Sequence, residues 1–229
     1  MLYTLCMNNK IVKCQRETLE ALSGKIDNFY LAGGTALSLF YFQHRMSIDL
    51  DFFTQDFNAA EIVRISEYLS GALGRKVEPI GRKLDAKTAK MLVYNIHFPK
   101  DILLKIDFVE DVIKLLKETI SIEGIRVLSL EDIFLRKLYA LLSRIDAKDF
   151  YDVYHLSHTF MPLSRFIQQY CNQIMMEDII KWYKSYDRMA MIDGVLELAS
   201  DKRPDYKKME RHFKKEINEI GRASCRERV

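Results

Sequence analysis

The chain of 229 residues is 48% hydrophobic and 29% charged, the balance of a globular protein with a proper core in one domain or two small halves. Its formal net charge of +3 is too small to mark a nucleic-acid binder by itself. No apolar run is long enough to span a bilayer, and Met1 to Lys10 lacks a basic segment followed by an apolar block, so a cytoplasmic protein without membrane contact is expected.

Gln15 to Lys25 reads as a short amphipathic helix, followed by a brief apolar strand from Phe29 to Ala32 that ends at Gly33-Gly34. Thr35 has the chemistry of an N-cap, so a second helix is expected to start there and run through the apolar stretch to Phe42. Ser47 to Phe53 (SIDLDFF) alternates like a strand. Asn58 is expected to cap a helix reaching Ala72, and Val77 to Ile80 reads as a short strand. Lys90 to Phe98 and Ile102 to Glu110 flank Pro99-Lys100-Asp101 as the arms of a hairpin. From Leu130 the apolar period is helical to the end. Strands mixed with helices, then helices alone, predict an α+β fold: an α/β core over residues 1–128 and a helical region over residues 129–219. Residues 220–229 (IGRASCRERV) match an in-frame translation of a common sequencing-library adapter and are set apart, which implies a natural chain cut near Glu219. The four cysteines, Cys6, Cys14, Cys171 and Cys225, lack the close pairs of a zinc site or a disulfide scaffold, so reduced thiols are expected.

Asp49 and Asp51 lie two residues apart on a strand, which points both carboxylates to one face, roughly 6 to 7 Å apart. Converging anions repel unless a cation lies between them, and a hard divalent ion suits oxygen ligands. Alone, D-x-D is short enough that two solvated acids are the better reading. Asp107 changes the balance, because Leu104-Lys-Ile-Asp-Phe-Val is apolar enough for a central strand and a buried acid needs a partner. If its strand lies beside that of Asp49 and Asp51, the three acids could hold one or two Mg²⁺ (or Mn²⁺) ions and align the phosphates of an NTP with an attacking hydroxyl. Asp107 could then also serve as general base. Gly33, Gly34 and Thr35 would cradle the triphosphate, since glycine lets the backbone approach closely and a helix N-terminus offers unpaired N–H donors. An ordinary strand-to-helix turn would carry the same pair of glycines.

Taken in order, G-G-T-A-L and R-M-S-I-D-L-D-F-F resemble the AbiEii/AbiGii nucleotidyltransferase toxins of abortive infection. So do Lys105-Ile-Asp107, Arg136-Lys137-Leu-Tyr-Ala140 and Arg144-Ile-Asp-Ala-Lys148-Asp149-Phe-Tyr-Asp152. The likeness spans Phe29 to Leu156. It implies a polymerase-β-like fold, use of NTP and Mg²⁺, and the toxin half of a toxin–antitoxin or phage-defence pair with a cognate antitoxin gene beside it. It further implies an RNA acceptor, tRNA being the one that related toxins suggest, or a protein hydroxyl. By the same likeness Ser47 joins Asp49 and Asp51 at the metal and nucleotide site, and Lys137 and Asp149 belong to a helical wall facing it. A lysine there would offset charge building on the β- and γ-phosphates as pyrophosphate leaves.

Asp152 and Asp149 stand near a helix start, where the dipole favours acids in any case. Arg45 could touch phosphate or pair with an acid of the sheet. Arg144 and Lys148 either grip the nucleotide, the role carried for Lys148, or cap the preceding helix. His155 and His158 lack a completing ligand and read as structural. The basic run Lys202 to Lys215 reads as a solvated helix face before it reads as an RNA surface. The alternatives left open are a nucleotidyltransferase for small molecules, of the antibiotic-modifying kind, and a non-catalytic nucleotide-binding module.

Overall fold

The computed structural model describes residues 2–85, 87–144, 146–198 and 204–226, with side chains described between residues 10 and 222. The side chains of Cys6 and Cys225, and the start of the basic run at Lys202 and Arg203, lie outside the described residues. The chain divides into two compact units, Met1–Ser129 and Leu130–Val229. Among the described residues no helix is long and apolar enough to cross a membrane.

In the first unit, α1 (Leu2–Leu22) begins well before the predicted Gln15, because no glycine or proline interrupts the stretch ahead of it. It stops at Gly24, which takes a φ of +65° that other residues resist. Next come β1 (Tyr30–Leu31), a single helical turn α2 (Gly33–Ala36) and, without a break, a π-turn over Leu37–Tyr41. Thr35 does not cap this helix. The N-cap position belongs to Ala32, which offers no side-chain bond, and the Thr35 hydroxyl is buried and donates to the carbonyl oxygen of Asp49. That long-range bond competes better for the hydroxyl than a local cap would. β2 (Leu50–Thr54) starts later than the alternation suggested, leaving Asp49 just ahead of it. The cap expected at Asn58 is present: its Oδ1 accepts from the backbone N–H of Ala60 at 3.0 Å and of Glu61 at 3.2 Å, opening α3 (Ala59–Leu73).

β3 (Val77–Lys83), β4 (Met91–Phe98) and β5 (Ile102–Glu110) follow, the last two joined through Lys100 and Asp101 at φ of +65° and +57°. β6 (Ile120–Ile122) and β7 (Ile125–Val127) form a hairpin the sequence reading passed over, turning on Glu123 and Gly124, both at positive φ. All seven strands make one mixed sheet in the order β3-β4-β5-β2-β1-β7-β6. β2 runs parallel to β5, while β4 is antiparallel to β5 and β1 to β2. Leu50, Phe52, Leu104, Ile106 and Phe108 all point to the buried face, where Phe108 stacks on Phe52 at 5.8 Å and meets the edge of Phe29 at 5.3 Å. On the free margin of the sheet, the pairing of β3 with β4 shifts register between Pro79 and Gly81.

The second unit is helical: α4 (Leu130–Ser143), α5 (Ala147–Thr159), α6 (Leu163–Tyr170), α7 (Gln173–Ser185), α8 (Arg188–Glu197) and α9 (Tyr206–Arg226). Asp146, Asn172 and Asp187 cap α5, α7 and α8 by accepting backbone N–H bonds. The core stacks Phe150 on Phe213 at 4.5 Å and Phe134 on Phe166 at 4.2 Å. Burial pushes the Cys171 thiol up to about 12 and raises that of Cys14, so both free cysteines stay as unreactive thiols. Across α4 and α5 runs an ion cluster whose two aspartates are fully buried. The Lys137 ammonium lies 2.9 Å from Asp149 Oδ1 and 2.6 Å from Asp152 Oδ2, and Arg144 Nε donates to Asp149 Oδ2 at 2.7 Å.

Burial works against the charge of Asp149, but Lys137 and Arg144 outweigh it and hold the carboxyl below the ordinary aspartate value near 3.8. Its stabilising contribution is therefore complete above that value and is lost as pH falls through it toward the depressed folded value. Asp149→Asn should cost about 3 kcal/mol in urea unfolding at pH 7, at the low end for a broken buried pair because Lys137 keeps Asp152. The gap between variant and wild type should narrow when the same titration is repeated below pH 3.8.

Candidate active site

The site starts from the register of two strands. Asp51 of β2 and Asp107 of β5 are direct cross-strand partners, flanked by the core pairs Leu50–Ile106 and Phe52–Phe108. Strand side chains alternate, so once Phe52 and Phe108 face the core, Asp51 and Asp107 must share the other face. Asp49 and Lys105, each two residues earlier, join them there. The structure thus brings together the three acids singled out in the sequence and adds a lysine that had been read only as part of a motif.

Lys105 Nζ lies 2.9 Å from Asp107 Oδ2 and 3.4 Å from Asp49 Oδ2. Burial opposes its charge, yet the hydrogen bond to Asp107 and the nearby charges of Asp107, Asp49 and Asp51 prevail and raise its pKa. Asp107 has only 13% of its side chain exposed. Its desolvation, aided by the Asp49 charge, raises its pKa above the ordinary value in spite of Lys105. Its Oδ1 is buried with no hydrogen-bond partner, an uncommon and costly state for a carboxylate oxygen.

The double glycine is fitted to this face. Gly33 has a φ of +69°, and a Cβ built on it would lie 2.5 Å from Asp51 Oδ2. A Cβ on Gly34 would overlap the Arg45 guanidinium and lie 3.0 Å from Ser47 Oγ. Gly33 is favoured both by its positive φ and by the close approach of the Asp51 carboxylate, whereas at Gly34 a side chain would displace the ends of Arg45 and Ser47. Arg45, which the sequence left open, is buried and donates from Nη1 to the Met46 carbonyl at 2.9 Å. Gln15 of α1 is fully buried and donates from Nε2 to the Ser47 carbonyl at 2.9 Å, fixing the loop before β2. A lone glutamine on a helix gives no sequence signal for such a contact, 32 residues away. Thr35, whose hydroxyl holds Asp49, is fully buried and shapes the site from behind.

Lys137, Asp149 and Lys148 belong to the second unit. Asp149 is fully buried, with one oxygen on Lys137 and the other on Arg144. Lys137 retains 9% exposure of its side chain. Lys148 is not part of that cluster; it is exposed beside a hollow of about 370 Å³ with Ala147, Met191 and Gly194. A larger hollow, about 630 Å³, lies between α3 and β3 against Val63, Ile80 and Tyr94, and none of the three acids lines it.

Among the described residues, no three His, Cys, Asp or Glu side chains are drawn together closely enough to enclose a metal ion unaided. Mg²⁺ rarely needs that: it is commonly held by one or two carboxylates, with water and substrate phosphates supplying the rest. The unpartnered Asp107 Oδ1, hard oxygen donors on adjacent strands and a glycine turn with no side chain in the way fit such an ion.

The family model for the nucleotidyl transferase AbiEii toxin of type IV toxin–antitoxin systems matches residues 17–224. An uncharacterised protein of Aquifex aeolicus (strain VF5) is 29% identical over 224 residues, covering 92% of this chain and 97% of that protein. The crystal structure of JHP933 from Helicobacter pylori superposes with a TM-score of 0.62 at 18% identity, covering 95% of each chain. The nucleotidyltransferase toxin MenT4 of Mycobacterium tuberculosis H37Rv gives 0.60 at 17% identity, over 93% of this chain and 84% of its own. The two structures share the fold, and the match of the family model over nearly the whole chain carries the assignment: the protein belongs to the AbiEii nucleotidyltransferase toxin family of type IV toxin–antitoxin systems.

Proposed function

We propose that this nucleotidyltransferase moves a nucleotidyl group from an NTP to a hydroxyl of an RNA, with Mg²⁺ or Mn²⁺ held by Asp49, Asp51 and Asp107. The observation that carries this reading is the direct pairing of Asp51 with Asp107 beside the Gly33-Gly34 turn. The acceptor oxygen forms a bond to the α-phosphorus, the bond from that phosphorus to its bridging oxygen breaks, and pyrophosphate leaves. As general base, Asp107 would take the acceptor proton. A bound divalent ion would offset the charge of acids and phosphates and orient the α-phosphate. Gly33 and Gly34 let the backbone come close to the triphosphate, and Ser47 offers it a hydroxyl. The family likeness implies that Lys137 offsets charge on the leaving pyrophosphate. Asp149, with both oxygens engaged, is a positioning residue that acts through Lys137.

RNA as acceptor is supported by α9. This helix buries Met209, Phe213 and Ile217 and exposes Lys207, Lys208, Arg211, Lys214 and Lys215, a cationic face suited to a phosphate backbone. Membership of the type IV family implies a cognate antitoxin.

Incubation of the protein with each [α-³²P]NTP in a cell lysate should yield RNase-sensitive label, and Asp49→Ala should abolish it. Label that survives Asp49→Ala, label confined to small molecules, or NTP binding without any transfer would each overturn the proposal. Gly33→Ala, which drives a methyl into the Asp51 carboxylate, should lower transfer about 100-fold, the usual result of displacing a reacting group by an ångström. Initial rates against wild type check this, with circular dichroism confirming the fold.

A further inference from the structure

We propose that Lys105 is a resident counter-ion of the acid site: it bridges Asp49 and Asp107 while no metal is bound and leaves when a divalent ion enters. The proposal rests on the reading that these acids hold metal.

A lysine beside an aspartate on a strand is usually a surface ion pair of little consequence. Lys105 differs in what it bridges. Its ammonium reaches Asp107 on its own strand and Asp49 ahead of the neighbouring strand, at 2.9 and 3.4 Å. It is therefore a compact cation between carboxylates from two chain segments, the same acids that would hold a metal. An ammonium is an incomplete substitute. It leaves Asp107 Oδ1 buried without a partner.

A divalent ion using the same Asp49 and Asp107 oxygens would lie a few ångströms from Nζ, and two cations so close repel strongly. Lysine can yield: its stem is flexible, and 36% of the side chain is exposed. A displaced ammonium needs a new anion, and an incoming triphosphate supplies one. Metal and nucleotide should therefore enter cooperatively, the nucleotide removing the cost of evicting Lys105. Without Lys105 the metal should bind well on its own.

The experiment is Mn²⁺ binding without nucleotide, read from the loss of the free-ion paramagnetic resonance signal, on wild type and Lys105→Met. The variant should bind about tenfold more tightly, and adding a non-hydrolysable NTP should tighten wild type far more than the variant. Equal or weaker binding by a folded Lys105→Met overturns the role of Lys105 and leaves the metal reading standing. Binding of Mn²⁺ by neither protein, with or without nucleotide, overturns both. A second measurement needs no variant. Reductive methylation of wild type followed by mass spectrometry should label Lys105 more readily once saturating Mn²⁺ is present, and unchanged labelling counts against its displacement.

Discussion

Parallel pairing of β2 with β5 is the constraint from which the acid face follows. A slip of β2 by one residue against β5 would turn Asp51 into the core, expose Phe52 and part Asp51 from Asp107, so the aromatic packing that stabilises the sheet also dictates where the charges meet. The C-terminal ends of the two strands are tied together as well. Asp111, just past β5, donates its N–H to the Thr54 carbonyl at 2.7 Å and accepts from the Tyr30 hydroxyl at 2.5 Å. The acid face is thus placed by apolar contacts on the opposite face of the sheet and by backbone bonds within it.

The two units handle buried charge by opposite rules. In the second unit Lys137, Arg144, Asp149 and Asp152 sum to no net charge, and both oxygens of Asp149 are engaged, so the cluster links α4 to α5 with its desolvation largely offset. In the first unit Lys105 bridges Asp49 and Asp107, and a buried oxygen of Asp107 stays unpaired. That contrast sets a neutral cluster that holds helices in place apart from an acid face with an oxygen left unpaired.

What could be read from the sequence was what local chemistry determines. Asn58 announces its helix because a cap bonds two or three residues onward, and Asp49 and Asp51 announce a shared face because strand alternation is local. The same two-residue alternation puts Lys105 on the face of Asp107, whereas its bridge to Asp49 depends on the pairing of β2 with β5. Thr35 misled because its hydroxyl bonds Asp49, 14 residues away, in preference to the nearby backbone. The β6–β7 hairpin escaped notice because its strands are three residues long, too short for alternation to stand out, although Glu123-Gly124 is a fair turn signal. Gln15 and the register of β2 against β5 depend on tertiary packing and leave no local trace.

The shift at Pro79 and Gly81 has a consequence for how copies of the protein behave in a crowd. β3 ends the sheet, and an outermost strand normally presents a row of idle donors and acceptors on which a stray chain can zip. Proline removes one donor from that row, the shift breaks its rhythm, and Arg82 and Lys83 place two like charges at its end. A molecule meeting another along this border therefore finds no continuous template, which protects the protein from edge-to-edge aggregation at high concentration.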